Sequence, residues 1–287
     1  MDQCRLCKKR IMLEESHIIP KFIAKWLKKN SATDYLRFMD TPNIRRQDLV
    51  KIKLLCKACE DLFSDEESYF AEKIFHPYMN RKSHNYNFSY NHQLIRFCSS
   101  ISWRAIVYLT EILKNETNPE IEKYKSKLEK FLLRDISNLD QYEQHIIPLE
   151  RVSQSELNIK HSNINFYFNR YIHIDLLSSE NGMLIYVKLP NFIILSNINY
   201  KYINKLRGSR VSLKEGNLLN KEYLLPMEIY EYLDEKLGRI KANLNTSMSE
   251  TQREKILETI KRNPNRFEES LTLKAMEADL YPYHFIK

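Results

Sequence analysis

Apolar residues recur at helical spacing along most of this chain and change to strict alternation in one long stretch. Segment 18–29 (IIPKFIAKWLKK) starts a helix near Pro20. Phe22, Ile23, Trp26 and Leu27 fall on one face and lysines on the other. Residues 34–55 read as extended and end in the alternating run LVKIKLL. Residues 60–75 (EDLFSDEESYFAEKIF) form an amphipathic helix with an inner stripe of Leu62, Phe63, Tyr69, Phe70, Ile74 and Phe75, and His76-Pro77 is expected to stop it. Helical units follow at about 91–114 and 119–134, the second opened by Asn118-Pro119. From roughly 145 to 226 the period changes. HSNINFYFNRYIHIDLL alternates polar and apolar residues, and GMLIYVKLPNFIILSNI has β-branched runs broken by Pro190, with Glu180-Asn181-Gly182 as the turn of a hairpin or meander. Helical spacing returns from about 227, beginning with MEIYEYLDEKLGRIKANL. These patterns predict an α+β protein in three segments: 1–80, a helical region 81–140, and a β-rich region with a helical C-terminal tail over 141–287.

Composition narrows the function classes. The chain has 287 residues and only four glycines, at 182, 208, 216 and 238. A Gly-rich phosphate loop or a dinucleotide fingerprint needs several glycines close together, so both are excluded. The polar, basic start MDQCRLCKKR has no apolar segment of a secretory leader, and no apolar run reaches the eighteen or more residues that span a bilayer. A soluble protein in a reducing cytoplasm is the expectation. The net charge of +8 is uneven: residues 1–60 carry fourteen Lys/Arg against seven Asp/Glu. Such a basic surface suits a phosphate backbone, whose counterions lysine and arginine release. A solvated helix face accounts for it equally well.

The most informative chemistry is two CxxC pairs, Cys4/Cys7 in CRLC and Cys56/Cys59 in LLCKAC, bracketing Ser16-His17-Ile18-Ile19-Pro20. Four thiolates in two knuckles suit a tetrahedral structural Zn2+ site. In a reducing compartment, closely spaced cysteines bind metal more often than each other. The fifth cysteine, Cys98, lies in the apolar stretch LIRFCSSISW and reads as a small buried hydrophobe. His17 has two readings, a functional group held by the zinc excursion or a core histidine satisfied by backbone. Arg104, on an apolar helix, either clamps phosphate or pairs with an acid of the 60–75 helix.

CRLC, SHIIP and LLCKACE together resemble the HNH endonuclease superfamily, over about residues 1–77. The resemblance implies an HNH-like treble-clef zinc module at the N-terminus. It also implies that His17 is the general base activating water against a phosphodiester, with a separate catalytic Mg2+ or Mn2+ besides the structural zinc. Two positions depart from the family pattern. Ser16 stands where an aspartate usually ligates the catalytic ion, and Glu60 stands where a histidine usually follows the last cysteine. Glu60 is a sensible oxygen ligand for a hard cation, and Asp61 and Glu67 are nearby acids. Glu67 lies two turns beyond Glu60 on the same helix face. The expectation is therefore an endonuclease acting on nucleic acid, DNA in particular, in antiphage defence or a mobile element, with no membrane partner. The alternative is a non-catalytic zinc module that binds nucleic acid or a protein partner, with residues 141–287 as the interaction surface.

Overall fold

A computed structural model describes residues 2–150, 159–221 and 223–280. The chain begins with a tight knuckle in which Cys4 N–H donates to the Lys9 carbonyl at 3.0 Å and Lys8 N–H to the Cys4 carbonyl at 2.9 Å. Strand β1 (Glu14–His17) follows, then helix α1 (Lys21–Lys29), strand β2 (Lys51–Leu55) and helix α2 (Lys57–Phe70). β1 and β2 pair antiparallel with Ser16 opposite Ile52 and His17 opposite Lys51, and the register shifts between Glu14 and Glu15. Arg5 N–H donates to the Leu54 carbonyl at 3.0 Å, so the knuckle lies against the end of β2. The stretch 34–50, expected to be extended, consists of bends, one short turn and irregular chain, with one isolated bridge, Leu36 to Arg46. Its apolar residues are too few to line a sheet face.

His76-Pro77 does not end the second helix. One π-helical turn (Ala71–Phe75) continues it into α3 (His76–Met79). The His76 amide reaches back to the Ala71 carbonyl, a five-residue step that widens the ladder just before the proline, which has no N–H to give. After β3 (Asn87–Tyr90) comes α4 (His92–Val107), capped by Asn91 accepting from the Gln93 amide, and continued by a π-helical turn (Tyr108–Ile112). Helix α5 (Pro119–Leu132) is capped by Asn118 accepting from the Ile121 amide at 3.0 Å. Thirteen of the sixteen α4 residues, from Leu94 through Val107 except Arg96, are buried, so α4 is the axis on which the other layers pack.

The second half is built on a four-stranded antiparallel sheet in the order β4 (Gln144–Pro148), β7 (Phe192–Asn197), β6 (Gly182–Leu189), β5 (His173–Ser179). The β5–β6 connection is the expected turn, where Gly182 takes φ 110°; a Cβ there would come within 2.4 Å of the Asn199 carbonyl oxygen. Both faces of the sheet are covered, which explains the near-continuous apolar runs. Ile185, Val187, Leu189, Phe192 and Ile194 join the core that runs from Cys4 through α2, α4 and α5. Leu184, Tyr186, Ile193 and Leu195 face the other way, onto α6 (Ile164–Arg170) and α7 (Met227–Thr246). Residues 164–170, part of the alternating stretch, are helical rather than extended. Ile164, Phe166 and Phe168 give the segment its alternating reading, but Ile164, Tyr167 and Phe168, at i, i+3 and i+4, are its buried apolar residues, and Asp279 accepts the amides of Asn165 and Phe166 at 2.7 and 2.9 Å.

β8 (Gly216–Leu219) pairs with β3, and α8 (Glu250–Arg262), α9 (Pro264–Glu269) and α10 (Leu271–Leu280) complete the helical C-terminal part. Part of the region expected to be β-rich, residues 151–158, and the last seven residues of the helical tail lie outside the described residues. Among the described residues no helix is long and apolar enough to cross a membrane.

Candidate functional site

The two knuckles meet. Cys4 and Cys7 come from the N-terminal turn, Cys56 from the cap of α2 and Cys59 from its first turn, and their sulfurs lie within 4.8 Å of one another. The Cys7 and Cys56 sulfurs are 3.8 Å apart. A Zn–S bond of about 2.3 Å places tetrahedral thiolates about 3.8 Å from one another, so this spacing fits a shared ion and is far too long for a disulfide. Cys4, Cys56 and Cys59 are buried, and the Cys56 amide donates to the Cys4 sulfur at 3.4 Å. Burial opposes ionisation at both Cys4 and Cys59. At Cys4 the amides of Cys56, Cys7 and Leu6 outweigh burial and hold the thiol low. At Cys59 the neighbouring sulfurs add to burial and push it up. Four sulfurs packed this closely repel as thiolates, and a divalent soft-ligand cation such as Zn2+ resolves the conflict by neutralising them.

The cysteine cluster joins the N-terminal knuckle to α2, and the other sequence-predicted site residues lie on β1 and α2. Ser16, fully buried, donates from its hydroxyl to Glu60 Oε2 at 3.0 Å. His17, the last residue of β1, donates from Nε2 to Asp48 Oδ2 at 3.0 Å. That carboxylate lies just ahead of β2 and also faces Lys51, with 3.5 Å between Oδ2 and Nζ. Burial alone would raise the Asp48 carboxyl; the His17 hydrogen bond, the Leu49 amide and the nearby positive charges together hold it below the usual range. An ionised carboxylate at Nε2 keeps the proton on that nitrogen and leaves the Nδ1 lone pair as the acceptor.

Arg104, 2% exposed, stands behind these groups. Its Nη1 donates to Glu67 Oε1 at 2.7 Å and to the His17 carbonyl at 3.0 Å, and its guanidinium lies 5.2 Å from the centre of the Phe63 ring. The arginine thus pairs with an acid of α2, and one of the Glu67 oxygens is committed to it. Burial pushes the Glu60 carboxyl above its usual range, although Arg104, the Ser16 hydroxyl and His17 all pull it down; Glu67 adds to the rise. Ser16, His17, Glu60, Glu67 and Arg104 therefore interact as one polar group beside the zinc site. Asp61 does not join it: it pairs with Lys57 on the exposed side of α2.

Asp48 and the bridging role of Arg104 were not legible as site features in the sequence. Asp48 is 31 residues from His17, in a stretch without motif, and meets it only through the strand register that sets His17 opposite Lys51. No protein-family model, curated protein or solved structure matches this chain.

Proposed function

We propose that this chain is a metal-dependent endonuclease of the HNH type, hydrolysing phosphodiester bonds in nucleic acid, DNA in particular. Its support is the order of parts: a zinc knuckle, a hairpin ending its first strand in His17, and a helix whose first turn brings the second cysteine pair and Glu60. The observation that carries it is the His17–Asp48 contact. A histidine whose tautomer is fixed by a carboxylate, with Nδ1 left as a base, is equipped to take a proton from water. His17 Nδ1 removes the proton as the water oxygen attacks phosphorus, and Asp48 stabilises the resulting imidazolium. Glu60, whose carboxyl burial pushes above its usual range, is the side chain best suited to a Mg2+ or Mn2+ ion, with Ser16 hydrogen-bonded to it and Glu67 near enough to act on its charge. Such an ion, when bound, supplies charge stabilisation to the phosphate and the leaving oxygen. Arg104 is too deeply buried to meet phosphate and instead holds the backbone of His17 and the side chain of Glu67 in place.

One observation favours the second reading, a zinc module that binds nucleic acid or a protein partner without cleaving. Glu60 and Glu67 already accept hydrogen bonds from inside the protein, and Ser16 brings no charge. A titration of cleavage with magnesium and with manganese separates the two. For an active site, Glu60→Gln raises the metal requirement sharply while nucleic-acid binding persists, and Ser16→Asp lowers it. Three superimposable curves from the parent and both variants, or no cleavage by any, would establish the binding module.

A further inference from the structure

Away from the cysteine cluster, α4, α5 and the segment that follows α5 line an open depression of about 620 Å³. Three cations line it, Arg96, Lys127 and Arg134, together with two acids, Asp135 and Asp140. Lys127 is already engaged, 2.5 Å from Asp140. The two arginines are not: among the described residues neither has a carboxylate within ion-pair distance. Arg96 is nonetheless fixed. Its Nη1 donates to the Phe131 carbonyl at 3.2 Å, and its guanidinium stands 5.0 Å from the centre of the Phe131 ring. Burial lowers its basicity, and the charge of Arg134 lowers it further, so the two guanidinium groups act on one another.

Behind them lies Glu66 of α2, 5% exposed, whose Oε2 is buried without a hydrogen-bond partner. Burial pushes this carboxyl up to about 7 in spite of Arg96 and Arg134, with Asp65 on its own helix adding to the rise. Two guanidinium groups, one of them held beside the Phe131 ring and carbonyl, line the same depression. A carboxylate ligand has two oxygens and occupies one fork. A phosphate monoester has three terminal oxygens and two charges, and can engage both.

We propose that this depression is a binding site for a phosphate monoester, with Arg96 and Arg134 as its two arms. The site is independent of the nuclease assignment, because it shares no residue with the His17 group. The ligand is either a free phosphate or nucleotide, or the phosphorylated end of a nucleic-acid strand.

Calorimetric titration of the zinc-loaded full chain, at low salt and without added divalent ions, tests the site. The three ligands are inorganic phosphate, a short 5′-phosphorylated oligonucleotide, and the same oligonucleotide with a 5′-hydroxyl. Saturable binding is expected for a phosphate-bearing ligand. Arg134→Ala, on the exposed wall, and Arg96→Lys, which keeps the charge but removes the fork, should each weaken it roughly tenfold or more. Lys261→Ala, on the exposed surface of α8, should leave affinity unchanged. Comparable affinities for inorganic phosphate and the phosphorylated strand identify free phosphate as the source; tight binding of the phosphorylated strand alone identifies a strand end. Absence of saturable phosphate binding, or binding that ignores both arginine variants, would overturn the site. So would equal affinity for the two oligonucleotides without detectable binding of inorganic phosphate.

Discussion

At His17 a single carboxylate decides which ring nitrogen can act as a base. Asp48→Asn keeps the shape but lets the amide donate to Nε2, which moves the ring proton to Nδ1 and blocks proton removal there. Cleavage should fall roughly 10²–10⁴-fold, the usual worth of a positioned base, with zinc content unchanged, as single-turnover rates and metal analysis would show. Glu66 allows a separate check on stability. Its folded-state carboxyl lies at about 7, above the model-peptide value of 4.5. Its contribution is therefore complete below 4.5 and is lost as pH rises through about 7. Glu66→Gln does not titrate, so urea unfolding of both proteins in phosphate-free buffer should shift in the variant's favour by up to about 3 kcal/mol between pH 4.5 and pH 8. A constant difference across that range would show that Glu66 is ionised in the folded protein as freely as in water. The cysteines, His17, Ser16 and Glu60 stand out in the sequence because CxxC and SHIIP are local spacings. Asp48 does not, since it lies thirty-one positions from His17. That Arg104 pairs with an acid of the 60–75 helix is legible from its place on an apolar helix, but that the acid is Glu67 is not.

The elements differ in how clearly the sequence announces them. Helices α1, α4 and α5 declare themselves through apolar stripes and caps, because Asn91 and Asn118 act within their own few residues. α6 is ambiguous, since Ile164, Phe166 and Phe168 read as alternating while Ile164, Tyr167 and Phe168 read as helical, and the capping carboxylate of Asp279 arrives from more than a hundred residues away. The π-helical turn before Pro77 is likewise invisible locally: Phe70, stacked 4.0 Å from Phe97, and Phe75, edge-on to Trp26, hold the helix in line across the proline. The hairpin β1–β2 is the element least able to stand alone, at four and five residues. Zinc should therefore carry its folding. Replacing any one of Cys4, Cys7, Cys56 or Cys59 by Ser, or removing zinc with a chelator, should unfold residues 2–60 and expose Trp26, read as loss of bound zinc and a red-shifted tryptophan emission. Retention of a native spectrum by a zinc-free protein would separate the hairpin from the metal.

Over the whole molecule, one core links the zinc module to the sheet, and the C-terminal helices return to the module. The C-terminal end of α1 is held from three later elements. Arg170 of α6 donates to the Leu27 carbonyl at 2.8 Å, Arg266 of α9 to the carbonyls of Lys28 and Ser31, and the Leu271 amide of α10 to the Asn30 carbonyl. Arg266 also pairs with Asp34, and Asn43 bonds to the Ser247 carbonyl and the Ser249 amide. Both chain segments leaving His17 and approaching Asp48 are thus braced by residues far along the sequence. Periodicity in the sequence announces the layers of this architecture but not the contacts between them, which depend on how the layers stack. In the function proposed above, this braced site beside the cysteine cluster cuts phosphodiester bonds with His17 as base. Nicking of supercoiled plasmid in magnesium or manganese by the parent and by His17→Ala, matched for zinc content, tests it most directly. Cleavage by the parent and a loss of roughly 10²–10⁴-fold in the variant are expected; equal cleavage by both proteins, or none by the zinc-loaded parent, would rule out His17 as the base of a nuclease.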